Sequence, residues 1–205
     1  MSIPGIMNMN MFGITHVGPD ICGFFGEKRD DELCARWTQL ATFYPLARFH
    51  YVDKSDPNEP YLMEGNWKTI AKKSMQDRYQ YLRHLYTCLY EANQNGGTCF
   101  DPLFYYFPTD ENLYGTTIDT TVMVGGAIKV TPILEAGVEG QTEFEAYFPK
   151  GVWVDINNPK NVIDTRAKGG DTVMLSTEAL SVHTHLKSGS MISFQNNADG
   201  KVMTT

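Results

Sequence analysis

Long apolar runs are missing from this 205-residue sequence. No window approaches the roughly 18 uninterrupted apolar residues that a membrane-crossing helix needs, so no membrane span is expected. The start, Met1-Ser2-Ile3-Pro4-Gly5, carries neither the basic residues nor the apolar stretch of a secretory signal. Positive charge is also scarce. Against 24 Asp and Glu stand 17 Lys and Arg, a formal charge of −7, which argues against a binder of nucleic-acid phosphates. There is no Gly-x-Ser-x-Gly elbow, no Gly-x-Gly-x-x-Gly turn and no phosphate loop, so the nucleophile-elbow and nucleotide-binding chemistries have no signature here. No Cys-x-x-Cys pair suggests zinc, and neither a metal nor a cofactor is implied. The absence of an Asn-x-Ser/Thr sequon weighs against heavy glycosylation.

Cysteine is sparse at four residues, too few for a disulfide scaffold. Cys22 and Cys34 are 12 residues apart and Cys88 and Cys99 are 11. Either pair can close a short loop in an oxidising compartment, and four small buried thiols fit the spacing equally well. The compartment stays open. What the sequence does hold is aromatic surface, with 11 Tyr, 11 Phe and 3 Trp, enough for a large core or for a cleft that stacks on sugar rings. At 42% hydrophobic and 20% charged residues the chain reads as globular, with one or two domains.

The hydrophobic period changes along the chain. Residues 11–21 read as a buried strand ending in a Gly-Pro-Asp turn. Asp30-Asp31-Glu32 supply an acidic helix start, with Leu33, Trp37, Leu40 and Ala41 on one apolar face up to Pro45. Residues 46–52 read as a second strand and 53–65 as a loop. Asn66 is placed to cap a long helix whose face carries Trp67, Ile70, Ala71, Arg78, Leu82, Leu85, Tyr86 and Leu89, ending at Asn95-Gly96-Gly97. After about residue 101 the period becomes 2, as in Phe144-Glu145-Ala146-Tyr147-Phe148 and Val152-Trp153-Val154-Asp155-Ile156, the pattern of an antiparallel sandwich. The tail 196–205 is polar and expected to fray.

Parallel β/α units place functional side chains at the carboxyl ends of their strands. One such end carries Asp20, then Cys22, Gly23 and Phe24; the other carries Arg48 and His50. Together these groups can grip a polyol, or form a structural Asp–Arg pair beside a packed histidine. His84 on the long helix reads as a packing residue more readily than a ligand, and His183 and His185 have no second ligand cluster nearby. Glu143 and Glu145 read as a solvated strand face, and Lys72-Lys73 as a solvated helix face.

The run Val17-Gly18-Pro19-Asp20-Ile21-Cys22-Gly23-Phe24-Phe25-Gly26, followed by Glu32-Leu33-Cys34-Ala35-Arg36-Trp37-Thr38-Gln39-Leu40, resembles glycoside hydrolase family 31, the α-glucosidase and maltase group. Phe43-Tyr44-Pro45 with Arg48 and His50, Arg78-Tyr79, His84-Leu85-Tyr86-Thr87, Pro102-Leu103-Phe104, Val130-Thr131-Pro132-Ile133-Leu134, Tyr147-Phe148-Pro149 and His185-Leu186-Lys187 continue the likeness in order, over about residues 3–195. The resemblance implies an α/β plus all-β chain: residues 1–101 are the last two βα units of a (β/α)8 barrel, and residues 102–205 the antiparallel β-sandwich that follows. Met1 then falls in the helix before barrel strand seven. Asp20 and His50 match sugar-binding residues, Phe24 an aromatic against the sugar, and Arg48 an arginine that orients the pocket. Cys22 and Cys34 match cysteines that are bridged in some relatives.

A retaining glycosidase needs two carboxyl groups about the scissile bond. The family's nucleophile string, Trp-x-Asp-Met-Asn-Glu, and its acid/base string lie upstream of the segment this chain resembles, and neither occurs here. The expectation is therefore a C-terminal part of a retaining α-glucosidase, without catalytic residues of its own. Its implied partners are an α-linked glucoside or oligosaccharide and the N-terminal part of the barrel; the alternative is a non-catalytic carbohydrate-binding or pseudo-enzyme module. Two departures stand out: Phe49 where the family usually has Asn, and Phe100-Asp101 where it commonly has Ala-Arg.

Overall fold

In the computed structural model, which describes residues 1–26, 28–115, 117–137 and 141–195, the Asp30 carboxylate accepts a hydrogen bond from the Leu33 amide at 3.0 Å and caps a helix. That helix is the second of three long ones: α1 (Ser2–Met11), α2 (Asp31–Ala41) and α3 (Gly65–Asn95). Asn66 does not cap α3; Glu64 precedes it, with no side-chain cap bond. At the far end Gly96 takes a φ of 76°, the left-handed turn that glycine accepts without a Cβ clash. The polar tail 196–205 lies outside the described residues.

The two expected barrel strands are reduced to extended segments. Met11 closes α1, and the segments meet in one parallel bridge, Ile21 to Phe49, supported by Leu46 N–H to Val17 O at 3.3 Å and Ile21 N–H to Arg48 O at 2.9 Å. A parallel pair with no third strand to bond gains too little ladder to stay regular along its length. The helix faces also differ from the sequence pattern. Leu33 and Tyr86 are 51% and 71% exposed, while α2 buries Cys34, Ala35, Thr38, Gln39, Leu40 and Ala41, and α3 buries Ile70, Ala71, Ser74, Asp77, Tyr81, Leu85 and Cys88.

Beyond α3 come β1 (Phe100–Asp101), β2 (Val122–Val124), β3 (Ile128–Thr131), β4 (Glu143–Pro149), β5 (Val152–Asp155), β6 (Val162–Asp164), β7 (Gly170–Ser176) and β8 (His183–Lys187). They form an antiparallel sheet in the order β1-β2-β3-β8-β5-β6, faced by the β4-β7 pair. The period of 2 sorts their side chains into two cores. Val122, Val124, Ile128 and Val130 face the helices, where they join Ile3, Ile6, Leu40, Phe43, Tyr44, Tyr81 and Leu85. Met123 points the other way, into a layer with Phe148, Trp153 and Leu175 between the sheets. Trp153 is fully buried and its indole N–H donates to Pro149 O at 2.9 Å.

By the same alternation Lys129 enters the layer between the sheets. It is fully buried, donates to Thr131 Oγ1 at 2.5 Å, and sets its ammonium nitrogen 4.0 Å from the centre of the Phe148 ring. His185, opposite Lys129 in the β3–β8 register, packs its ring 4.8 Å from Phe148. Burial pushes the Lys129 amine down from 10.5 to about 7, and burial, then Lys129 itself, pushes the His185 imidazole down to about 3. A base with a lowered folded-state pKa adds stability above its unfolded value and loses it as pH falls toward the folded value. Stability should therefore rise between about pH 7 and 10.5 on account of Lys129, and fall from about pH 6.5 toward 3 on account of His185. Lys129→Met should flatten the alkaline rise and raise neutral-pH stability by about 1–4 kcal/mol, measured by urea unfolding across that range. An unchanged alkaline slope in the variant would show that Lys129 is not its source.

Candidate functional site

The paired segments 17–24 and 46–52 form an edge, the rim, along which lie the four candidate residues, Asp20 and Phe24 on the first segment and Arg48 and His50 on the second. Gly18 makes their approach possible: a Cβ there would overlap the Leu46 carbonyl oxygen. Past the bridge, Val52 N–H donates to Phe24 O at 3.1 Å, so the two segment ends stay side by side. Arg48 Nε lies 2.5 Å from Asp20 Oδ1, with the arginine side chain 56% exposed and the aspartate side chain 15%. The Phe24 and His50 rings lie 5.3 Å apart at 37°, with His50 exposed and Phe24 half-buried. The rim thus offers an anchored carboxylate, a guanidinium, an imidazole and an apolar ring face. Sugars are bound by this kind of set, hydrogen-bonding groups for hydroxyls and a flat face for C–H.

Three further features hold the rim, and two of them carry no periodic signal in the sequence. Cys22, at φ 75°, is disulfide-bonded to the fully buried Cys34 of α2, which fixes the turn between Asp20 and Phe24 to the helix behind it. Arg29 ties down the loop 53–65: its guanidinium donates to Pro57 O at 3.0 Å and Leu62 O at 2.9 Å and pairs with Asp31 at 2.6 Å. From within that loop the buried Asn58 reaches the carbonyls of Ile21, Gly23 and His50. The signal that could have drawn attention to Asn58 is a polar amide within Asp56-Pro57-Asn58-Glu59-Pro60, where two prolines stiffen the backbone around it.

Other polar residues serve packing. Arg78 donates to the carbonyls of Ala41, Thr42 and Tyr44 at 3.2, 3.1 and 2.6 Å and so closes the C-terminal end of α2. His84 Nε2 lies 3.1 Å from Val124 O against Gly125, and burial pushes its pKa down. His183 Nε2 lies 2.7 Å from Ser176 O. Asp101, the departure noted before Pro102, is buried where the Thr98 and Tyr106 hydroxyls donate to it, the latter at 2.6 Å; burial raises its pKa. A second disulfide, Cys88–Cys99, joins the C-terminal part of α3 to the residue before β1.

Family models match this chain in two consecutive stretches: the glycosyl hydrolases family 31 TIM-barrel domain over residues 1–88, and the glycosyl hydrolase family 31 C-terminal domain over residues 96–192. Among curated relatives, lysosomal alpha-glucosidase of Bos taurus is 36% identical over all of this chain and 22% of its own length. Alpha-glucosidase of Hordeum vulgare is 36% identical over 96% of this chain and 21% of its own length. The GH31 dextranase of Flavobacterium johnsoniae complexed with glucose superposes with a TM-score of 0.80 at 27% identity, over 93% of this chain and 23% of that one. The chain therefore spans about a fifth of the length of the curated relatives it matches.

The close approach at Gly18 and the Cys22–Cys34 bond generate two expectations. Gly18→Ala should force the segments apart and cost about 1–3 kcal/mol, with the Ile21 and Val52 amides losing exchange protection. Replacing Cys22 and Cys34 together by Ser should lower stability by about 2–4 kcal/mol in urea unfolding, as expected for a short closed loop. No change in either would mean the rim is held without them.

Proposed function

The chain belongs to glycoside hydrolase family 31, and from that premise we propose that its rim of Asp20, Phe24, Arg48 and His50 is part of the glucose-binding wall of a retaining α-glucosidase-type hydrolase. The observation that carries this reading is the pairing of Asp20 with Arg48 and of Phe24 with His50 across two adjacent parallel segments. In a β/α barrel that end faces the substrate. The Asp20 carboxylate accepts hydrogen bonds from sugar hydroxyls, the His50 ring exchanges hydrogen bonds with them, Phe24 covers an apolar sugar face, and Arg48 holds the Asp20 carboxylate in place. Support also comes from a structural relative that carries glucose in its complex.

Bond cleavage by a retaining mechanism requires a nucleophile and an acid/base about 5–5.5 Å apart. The strings in which the family carries those carboxyls are not in this sequence. In this reading they come from the N-terminal part of a barrel, and the 205-residue chain contributes binding and the closing sandwich.

Titration of the chain with glucose, followed by the ring resonances of Phe24 and His50, tests this. Weak saturable shifts are expected at those rings, reduced about tenfold or more in affinity by His50→Ala or Asp20→Asn. The purified chain should not turn over an aryl α-glucoside. Absence of shifts at the rim would refute the binding wall, and hydrolysis abolished by Asp20→Asn would refute the division of labour.

A further inference from the structure

Asn58 lies in the stretch that the sequence marks only as a loop, yet it is 3% exposed. Its Nδ2 stands 3.4 Å from each of three main-chain carbonyl oxygens: Ile21 and Gly23 on one rim segment and His50 on the other. Carbonyl oxygens only accept, so the amide nitrogen has to face them and the side-chain orientation is fixed by chemistry. The Oδ1 on the other side is buried without a hydrogen-bond partner among the described residues. A buried amide oxygen left unpaired is costly, and such a group persists where the opposite end gains from its position. The loop that presents it is itself tethered, by Arg29 at Pro57 and Leu62 and by the Tyr51 hydroxyl donating to Glu59 Oε1 at 3.2 Å.

We infer that Asn58 is a positioning residue for the sugar-facing rim, a clasp whose amide sets the spacing between the Asp20–Phe24 turn and His50. This rests on the reading of the rim as a glucose-binding wall, and it adds the element that holds the wall's two halves in register. The carbonyls it bridges follow or flank the residues that present side chains to the rim. A change at Asn58 therefore shifts Phe24 and His50 relative to each other without touching the ligand. No other described side chain is hydrogen-bonded to both rim segments through their main chains.

Asn58→Asp is the discriminating variant, because it keeps the size and replaces the donor with an oxygen that the three carbonyls repel. Asn58→Ala serves as a second variant that removes the donor without adding charge. In the full chain, hydrogen exchange is read at the Ile21 and Val52 amides, which bond across the rim. The reference amides are Ile156 and Lys187, which bond to Thr184 O and Ala127 O within the large sheet. The expected result is exchange faster by about tenfold or more at the rim amides in Asn58→Asp, a smaller rise in Asn58→Ala, and no change at the reference amides. Glucose affinity should fall in the same order. Equal acceleration at all four amides would reduce Asn58 to a general stabilising residue and overturn the proposal, as would unchanged exchange and affinity. If the unmodified chain binds no glucose while the rim amides still loosen selectively, the clasp stands and the sugar-wall reading fails.

Discussion

Two extended segments lying side by side are the constraint on which the rest depends. Their contact is made of main-chain hydrogen bonds at 2.9–3.3 Å and one close approach at Gly18, and every candidate sugar-contacting side chain projects from their ends. So slight a ladder would not hold a rim by itself. The molecule surrounds it with longer-range ties: a disulfide into α2, a guanidinium across the loop 53–65, and an amide spanning both segments. Each tie acts on backbone rather than on the side chains that face outward. The side chains of Asp20, Phe24 and His50 are thus not needed to hold the backbone, and Arg48 pairs with the first of them.

The sandwich solves a different problem. Its large sheet is covered on both faces, by helices on one side and by β4 and β7 on the other, so neither face of β2 or β3 can be polar without consequence. Lys129 breaks that rule. A hydroxyl and the face of Phe148 partly compensate it, and its cross-strand neighbour His185 is held neutral by the same dry surroundings. The interior thus holds one base neutral and a second poised to lose its charge near neutral pH, where a fully apolar layer would carry neither.

Much of this was legible in the residues. The acidic start of α2, the glycine stop of α3, the change of period near residue 101 and the ordered family strings all pointed to barrel units followed by a sandwich. They also brought Asp20, Phe24, Arg48 and His50 forward, and the fold sets Asp20 beside Arg48 and Phe24 beside His50. Asn58 and Arg29 could not be read this way, because most of their partners lie tens of residues away and they leave no periodicity. Lys129 escapes a sequence reading for the opposite reason. Within Ile128-Lys129-Val130-Thr131 the alternation looks like a half-exposed strand, and only the covering pair β4-β7 makes the polar side an interior one. Helix α1 is obscured by Pro4 and Gly5, yet Ile3, Ile6, Met7 and Asn10 recur at helical spacing, and Asn10 Nδ2 binds Phe100 O at 2.9 Å. Tertiary contact overrides propensity there.

The shared core has a consequence for how such chains evolve. Ile3, Ile6, Leu40, Phe43 and Tyr44 from the barrel side pack into one cluster with Val122, Val124, Ile128 and Val130 from the sheet. Cys88–Cys99 then fastens the two stretches covalently, close to where one family model ends and the next begins. A border that sequence models draw between two modules is therefore a seam inside one packed body. Recombination that exchanged either module between relatives would have to carry a matching half of that seam, so the two are expected to diverge as a pair.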